Sequence, residues 1–287
     1  MTLTQTSSPP SSEDTDRIVV RLARNTEEIE AAQRLRYEVF YEEYKAIPDE
    51  QAKQSRMDVD EYDAITDHLV VLDTGLPAGT GQIVGTYRLL RREVADRFGK
   101  FYTSGEYDIG PLLGSGAALL ELGRSCVLAP YRTRPVLQKL WQGIAHYVAQ
   151  HKIGLMFGCA SLHGTDIDEL APQLSYLHHY HLAAPELRPR ALDSRYVAMD
   201  IIPKEELDAK KVFISMPPLI KGYMRLGASV GDGAVVDHQF NTTDVCIVMP
   251  THLVTEKYFR HYQRVTNNQI TLDDDFAHRH AAAKVTG

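Results

Sequence analysis

Residues 117–127, AALLELGRSCV, read as a buried strand that nonetheless carries Glu121 and Arg124. An unpaired charge inside an apolar strand costs several kcal/mol, so each of the two requires a partner or a chemical task. Side chains alternate along a strand, which sets residues three apart on opposite faces unless a bulge intervenes. Gly123, between them, is the residue type that permits one. A bulge brings Glu121 and Arg124 to one face and frees a backbone N–H from the ladder. A free amide beside a carboxylate suits acyl transfer, where a donor meets the carbonyl oxygen and a base serves the nucleophile. A structural Glu–Arg pair is the competing reading.

On the C-terminal side, 134–151 has a helical stripe of Val136, Leu137, Leu140, Trp141, Ile144, Tyr147 and Val148, and 153–160 reads as the next strand. Strand, helix and strand form a βαβ crossover, so 119–127 and 153–160 are expected parallel and adjacent, or splayed around a ligand. On the N-terminal side, 18–23 is a strand, and Asn25 with Glu28 forms a capping box opening a helix to about residue 44. Arg36 lies four residues from both Ala32 and Phe40, on that helix's apolar stripe. A buried arginine there asks for an acid; a rim arginine with a snorkelling stem is the alternative.

The loop 48–67 holds Asp58, Asp60 and Asp63 in MDVDEYDAITDH. An EF-hand starting at Asp58 would need Gly in place of Asp63 and Glu in place of Leu69, so no metal is expected there. Either the acids are solvated, or they receive Arg36, Arg124 and a cationic substrate. Strands at 68–72 and 82–90, the second containing Arg88, form a hairpin across the turn DTGLPAGTG. Further on come a helix capped by Asp166 and Glu169, a strand at 196–202, a helix at 217–227, a strand at 243–249 and a helix at 253–264. His178, His179 and His181 lack the spacing of a helical metal pair and read as packing or surface residues.

The 287 residues carry a net charge of −7, which disfavours nonspecific nucleic-acid binding. Three cysteines, none in a CxxC pair, suggest a reducing cytoplasm and no zinc site. No run approaches the ~18 apolar residues of a spanning helix, so any membrane contact is expected to be peripheral, at the inner face of the plasma membrane. The segment 210–225 offers Phe213, Ile214, Leu219 and Ile220 beside Lys210, Lys211, Lys221 and Arg225 for such contact, or for docking onto the core. The expected organisation is a disordered tail at 1–16, a core at 17–202, an extension at 203–265 packed on that core, and a frayed end at 266–287.

RLRYEVF at 34–40, DVDEYD at 58–63, GTYRLL at 85–90 and ELGRSCV at 121–127 together resemble the acyl-homoserine lactone synthases, which have the GNAT-like acyltransferase fold. A closer resemblance runs from about 17 to 249. ELGRSCVLAPYR, LMFGCASLHGTD, PPLIKGYMRLGA and GDGAVVDHQFNTTDVCIV are similar to the hemolysin-like acyltransferases of ornithine-lipid synthesis. The resemblance implies an α/β (α+β) fold with a central mixed, mostly antiparallel sheet splayed at a bulged strand and flanked by helices. It implies a 3-hydroxyacyl chain passing from acyl carrier protein to the α-amine of ornithine, giving lyso-ornithine lipid. Glu121 and Arg124 would be catalytic; Arg36, Phe40, Asp58, Asp60, Asp63, Arg88, Ser125, Cys126 and Val127 would bind substrate, and the three aspartates could hold the substrate's side-chain ammonium.

The loop after the central strand, APYRTRPVLQK, has no glycine to cradle a CoA pyrophosphate. That suits a carrier-protein donor, which Arg132, Arg134 and Lys139 would meet, with no bound cofactor. Other acceptors such as glutamine, glycine or a homoserine-type amine stay open. So do a glycerolipid-type O-acyltransferase, suggested by His163 and Asp168 in an H-x-x-x-x-D pattern, and a non-catalytic lipid or carrier-protein binding module.

Overall fold

The apolar runs of the sequence pair into one sheet whose middle strands are buried on both faces, which is why they read as continuous and not alternating. The computed structural model describes residues 16–252. In order, the elements are β1 (Ile18–Leu22), α1 (Thr26–Tyr37), α2 (Glu50–Ser55), β2 (Asp67–Asp73), β3 (Ile83–Arg91), α3 (Arg92–Phe98), β4 (Tyr107–Asp108), α4 (Gly110–Gly114) and β5 (Leu119–Val127). Then come α5 (Arg134–Gln150), β6 (Leu155–His163), α6 (Ile167–His181), β7 (Arg190–Ala191), α7 (Ala209–Ser215), α8 (Pro218–Leu226), β8 (Ser229–Val230), β9 (Val235–Asp237) and β10 (Thr242–Pro250). The sheet order is β1-β2-β3-β5-β6-β10-β8, with β9 also on β10. Its named strands pair antiparallel except β5 and β6, which run parallel.

That parallel pair covers only Leu119↔Leu155 to Glu121↔Phe157, and then the strands part. At the point of parting a Cβ on Gly158 would lie 2.1 Å from the Leu122 carbonyl oxygen, so only glycine allows this close approach. Leu69 and Val71 pack with Leu140, Trp141 and Ile144 of α5, while Val70 and Leu72 face Ala32 and Leu35 of α1. Each such aliphatic side chain, fully buried, contributes roughly 1.5–3 kcal/mol.

Three sequence expectations change. The helix expected to run on to residue 44 is α-helical only to Tyr37 and continues as a π-helical turn, Glu38–Glu43. No strand forms at 196–202: Val197 bridges Ala234, but the Ser175 hydroxyl of α6 accepts the amides of Ile201 (3.1 Å) and Ile202 (2.9 Å) and draws the chain out of the sheet. The segment read as an extension supplies β10, which pairs with β6 from Thr242↔His163 to Pro250↔Leu155 and so lies inside the sheet. Of the apolar residues offered to a membrane or to docking, Ile220 is buried and Phe213 and Leu219 pack against the core, as docking has it; Ile214 alone among them is well exposed. Among the described residues no helix is long and apolar enough to cross a membrane. The tail before Asp16, the helix at 253–264 and the end at 266–287 lie outside the described residues.

Candidate active site

The bulge in β5 is present. Thr86 pairs with Cys126 and Arg88 with Gly123, so Tyr87 alone spans Arg124 and Ser125. The left-handed residue is Arg124 (φ +49°), not Gly123. An L-residue there costs about 1–2 kcal/mol and persists because its surroundings hold it. The Arg124 guanidinium donates to Asp58 Oδ2 (Nε, 3.1 Å) and Asp60 Oδ2 (3.3 Å), between the rings of Tyr102 (5.1 Å) and Phe240 (4.7 Å).

The acidic loop is not solvated. Arg36, fully buried, sets Nε 2.8 Å from Asp58 Oδ2 and grips both oxygens of Asp63 at 2.8 and 2.7 Å. Arg88 reaches Asp60 (2.5 Å) and Asp63 (3.3 Å), and Tyr41 donates to Asp58 Oδ1 (3.1 Å). Burial alone would raise the Asp58 and Asp63 carboxyls, but the arginines outweigh it and hold both below the usual carboxylate range. Three arginines thus match three aspartates.

Glu121 is buried and accepts the amides of Thr103 (2.6 Å) and Tyr102 (3.0 Å) on its two oxygens. Burial pushes its carboxyl up against the pull of those hydrogen bonds. It lines a cavity of about 1010 Å³ opened by the parting of β5 and β6. One arm is apolar, walled by Val136, Leu140 and Trp141 of α5 and Leu219, Tyr223 and Leu226 of α8; the other end presents Tyr102, Thr103, Glu121, Arg124, Cys159 and Asp244. A hydrogen bond between the Tyr87 and Tyr223 hydroxyls ties α8 to the central sheet.

Phe40, Arg88, Ser125, Cys126, Val127, Arg132 and Arg134 also line this cavity. Arg36 and Asp63 stand behind its wall, and Asp58 and Asp60 face a neighbouring pocket of about 300 Å³. Arg132 is tied to Glu43 and to the Val127 carbonyl (2.9 Å), so part of its charge is already matched; Arg134 is exposed and Lys139 is half-buried on α5. Burial pushes the Cys126 and Cys159 thiols up, away from the thiolate a nucleophile needs. His163 packs on Tyr44 (4.4 Å), and no hydrogen bond or ion pair joins it to Asp168 among the described residues.

Sequence reading missed Glu106, Asp237 and Asp244, whose carboxylate oxygens lie within 4.8 Å of one another. Asp244 had the same signal as Glu121, a charge inside an apolar strand, TTDVCIV. Burial first, helped by repulsion from the acidic neighbours, raises the Glu106 carboxyl to about 7 and that of Asp244 to about 6. Because these folded-state values exceed the unfolded ones, the stability the pair contributes is present at low pH and lost as pH rises through about 6–7. Asn mimics the protonated acid, so the melting temperature of Asp244→Asn minus that of wild type is expected to rise between pH 5 and pH 8. A flat or falling difference would contradict the raised values.

Residues 35–142 match the acetyltransferase (GNAT) domain model. The L-ornithine N(alpha)-acyltransferase of Rhizobium meliloti is 50% identical over 245 residues, covering 84% of this chain and 83% of its own. That of Rhodobacter capsulatus is 46% identical over 246 residues, covering 85% and 94%. The chain belongs to the L-ornithine N(alpha)-acyltransferase family. As a member it is an acyltransferase enzyme of GNAT-like fold. Solved structures similar to this family member include the AHL synthase LasI (TM-score 0.42, 14% identity, 83% of this chain and 95% of that one). FeeM, an N-acyl amino acid synthase from uncultured soil microbes, is another (TM-score 0.45, 10% identity, 82% and 93%).

Proposed function

We propose that the chain transfers a 3-hydroxyacyl group from the phosphopantetheine thioester of acyl carrier protein to the α-amine of ornithine, giving lyso-ornithine lipid. The observation that carries this reading is the buried Glu121 carboxylate beside the β5 bulge, where the cavity's apolar arm meets its polar end. Glu121, directly or through one water, takes a proton from the ornithine ammonium. The freed amine attacks the thioester carbon, and the developing oxyanion meets an amide from the unpaired Arg124–Ser125 stretch. Collapse breaks the C–S bond, the departing phosphopantetheine thiolate takes up the second proton lost by nitrogen, and Glu121 releases the first to solvent. Arg124 and the Arg36–Asp63 network behind it hold the bulge in place. With the buried thiols protonated, attack is direct and no acyl-enzyme forms. A carrier-protein donor places the reaction in the cytoplasm, with any membrane contact peripheral.

The entry to α5 supports the choice of donor. It passes through a short 3-10 turn, Ala129–Tyr131, with Pro135 in the first helical turn and no glycine to admit a pyrophosphate. Exposed Arg134 is available to an acidic carrier, with half-buried Lys139 about one and a half turns further along α5. Acyl carrier protein thioesters are therefore expected to be used with kcat/KM at least about tenfold above matched acyl-CoA, a difference of about 1.4 kcal/mol. Initial rates of N-acylornithine formation with both donors test this, and equal efficiency would remove the carrier protein from the account.

A further inference from the structure

Ornithine brings two amines to the site, and the acylated one must lose its charge. The other stays cationic, and Asp58, Asp60 and Asp63 have no charge left for it, since Arg36, Arg88 and Arg124 already neutralise them. At Asp244 the balance is different. Asp244 is 5% exposed and lines the cavity; its buried Oδ1 makes no hydrogen bond of normal geometry, and the nearby Ser161 and Thr242 hydroxyls favour its charged form. Thr242 Oγ1, on the same cavity wall, is likewise buried beside Asp244 without a hydrogen bond of normal geometry. Asp237 and Glu106 complete an acidic group whose oxygens lie within 4.8 Å of one another. The cations near this group are Arg195, partly exposed and 3.9 Å from Glu106, and Arg124, whose charge acts on Asp244 but is already shared with Asp58 and Asp60. A buried carboxylate with an open oxygen and too little positive charge around it is the complement of a cation.

We propose that Asp244, supported by Asp237 and Glu106, is the seat of a primary alkylammonium group, the side-chain ammonium of the acceptor, and so decides which amino acid is acylated. This rests on the ornithine reading above. The placement fits a short diamine. Thr103 gives its amide to Glu121 (2.6 Å), its hydroxyl lies 3.8 Å from Cys159 Sγ, and that thiol donates to Glu106 Oε2 (3.2 Å). The proton-accepting carboxylate and the acidic group are therefore joined through two residues, Thr103 and Cys159, and in the proposed pose one amine sits at each with the methylene chain between them. An ammonium carries three N–H donors and suits Asp244 Oδ1 with Thr242 Oγ1. A calcium ion would want 6–8 oxygens, and the Cys159 thiol already occupies one of those at Glu106.

The test is calorimetric titration of the full chain with ornithine and with norvaline, which has the same carbon skeleton without the terminal amine, alongside initial acylation rates. Wild type is expected to prefer ornithine at least about 30-fold, because a seat built for a polar group rejects the analogue lacking it. Asp244→Asn is expected to narrow the ratio to about threefold, and Asp237→Asn serves as a second variant should the first fail to fold. No preference in wild type, or a preference retained in folded Asp244→Asn with both ligands weakened alike, would overturn the proposal. So would binding of Mg²⁺ or Ca²⁺ that Asp244→Asn abolishes without changing the ornithine preference. Asp244-dependent ornithine binding without acylation would leave the seat standing and sink the proposed activity. Ornithine acylation with the preference unmoved by Asp244→Asn would do the reverse.

Discussion

Glu121→Gln is expected to lower kcat by about 10²-fold or more, the scale of a lost general base. The carboxylate takes a backbone amide on each oxygen, from Thr103 and Tyr102, and a glutamine amide would turn its own donors toward one of them. That mismatch costs about 1–3 kcal/mol, so some loss of melting temperature should accompany the loss of rate. The pH profile separates the two effects. If Glu121 takes the proton, the variant loses the acidic limb of the kcat profile; a merely structural role lowers the whole curve and leaves its shape intact. Turnover near wild type would remove Glu121 from the mechanism.

Arg36→Ala is expected to cost roughly 3–5 kcal/mol of stability, as breaking a buried ion pair leaves its partners without a counter-charge. Arg36 is fully buried and satisfies Asp58 and both oxygens of Asp63, and through them it holds Arg88 and the left-handed Arg124 in place. Arg36→Lys should not restore it, since an ammonium cannot reproduce the fork that grips Asp63. Denaturant midpoints for the three proteins decide the matter, and a midpoint for Arg36→Ala equal to wild type would show that the network bears no weight.

What could be read from sequence was whatever left a local mark. Glu121 and Arg124 stood out because a charge inside an apolar strand has few explanations, and Arg36 because it broke a helical stripe. The bulge followed from spacing, although the strained residue turned out to be the arginine, whose charge the aspartates hold in a conformation glycine would adopt freely. Tyr102 and Thr103 were invisible because they lie in an irregular segment and act through backbone amides, which any residue type can supply. Glu106 was hidden for a related reason: its thiol partner, Cys159, is distant in sequence. Asp244 obeyed the same rule as Glu121 and was legible, but its strand was read as peripheral when it lies inside the sheet.

The most direct measurement is tandem mass spectrometry of the product formed by the purified chain from a 3-hydroxyacyl carrier protein and ornithine labelled with ¹⁵N at the α position. With the α-amine at Glu121 and the side-chain ammonium at Asp244, the account predicts an amide on the labelled nitrogen and a free terminal amine. An amide on the terminal nitrogen, or no product from ornithine while glutamine or glycine is acylated, would contradict it.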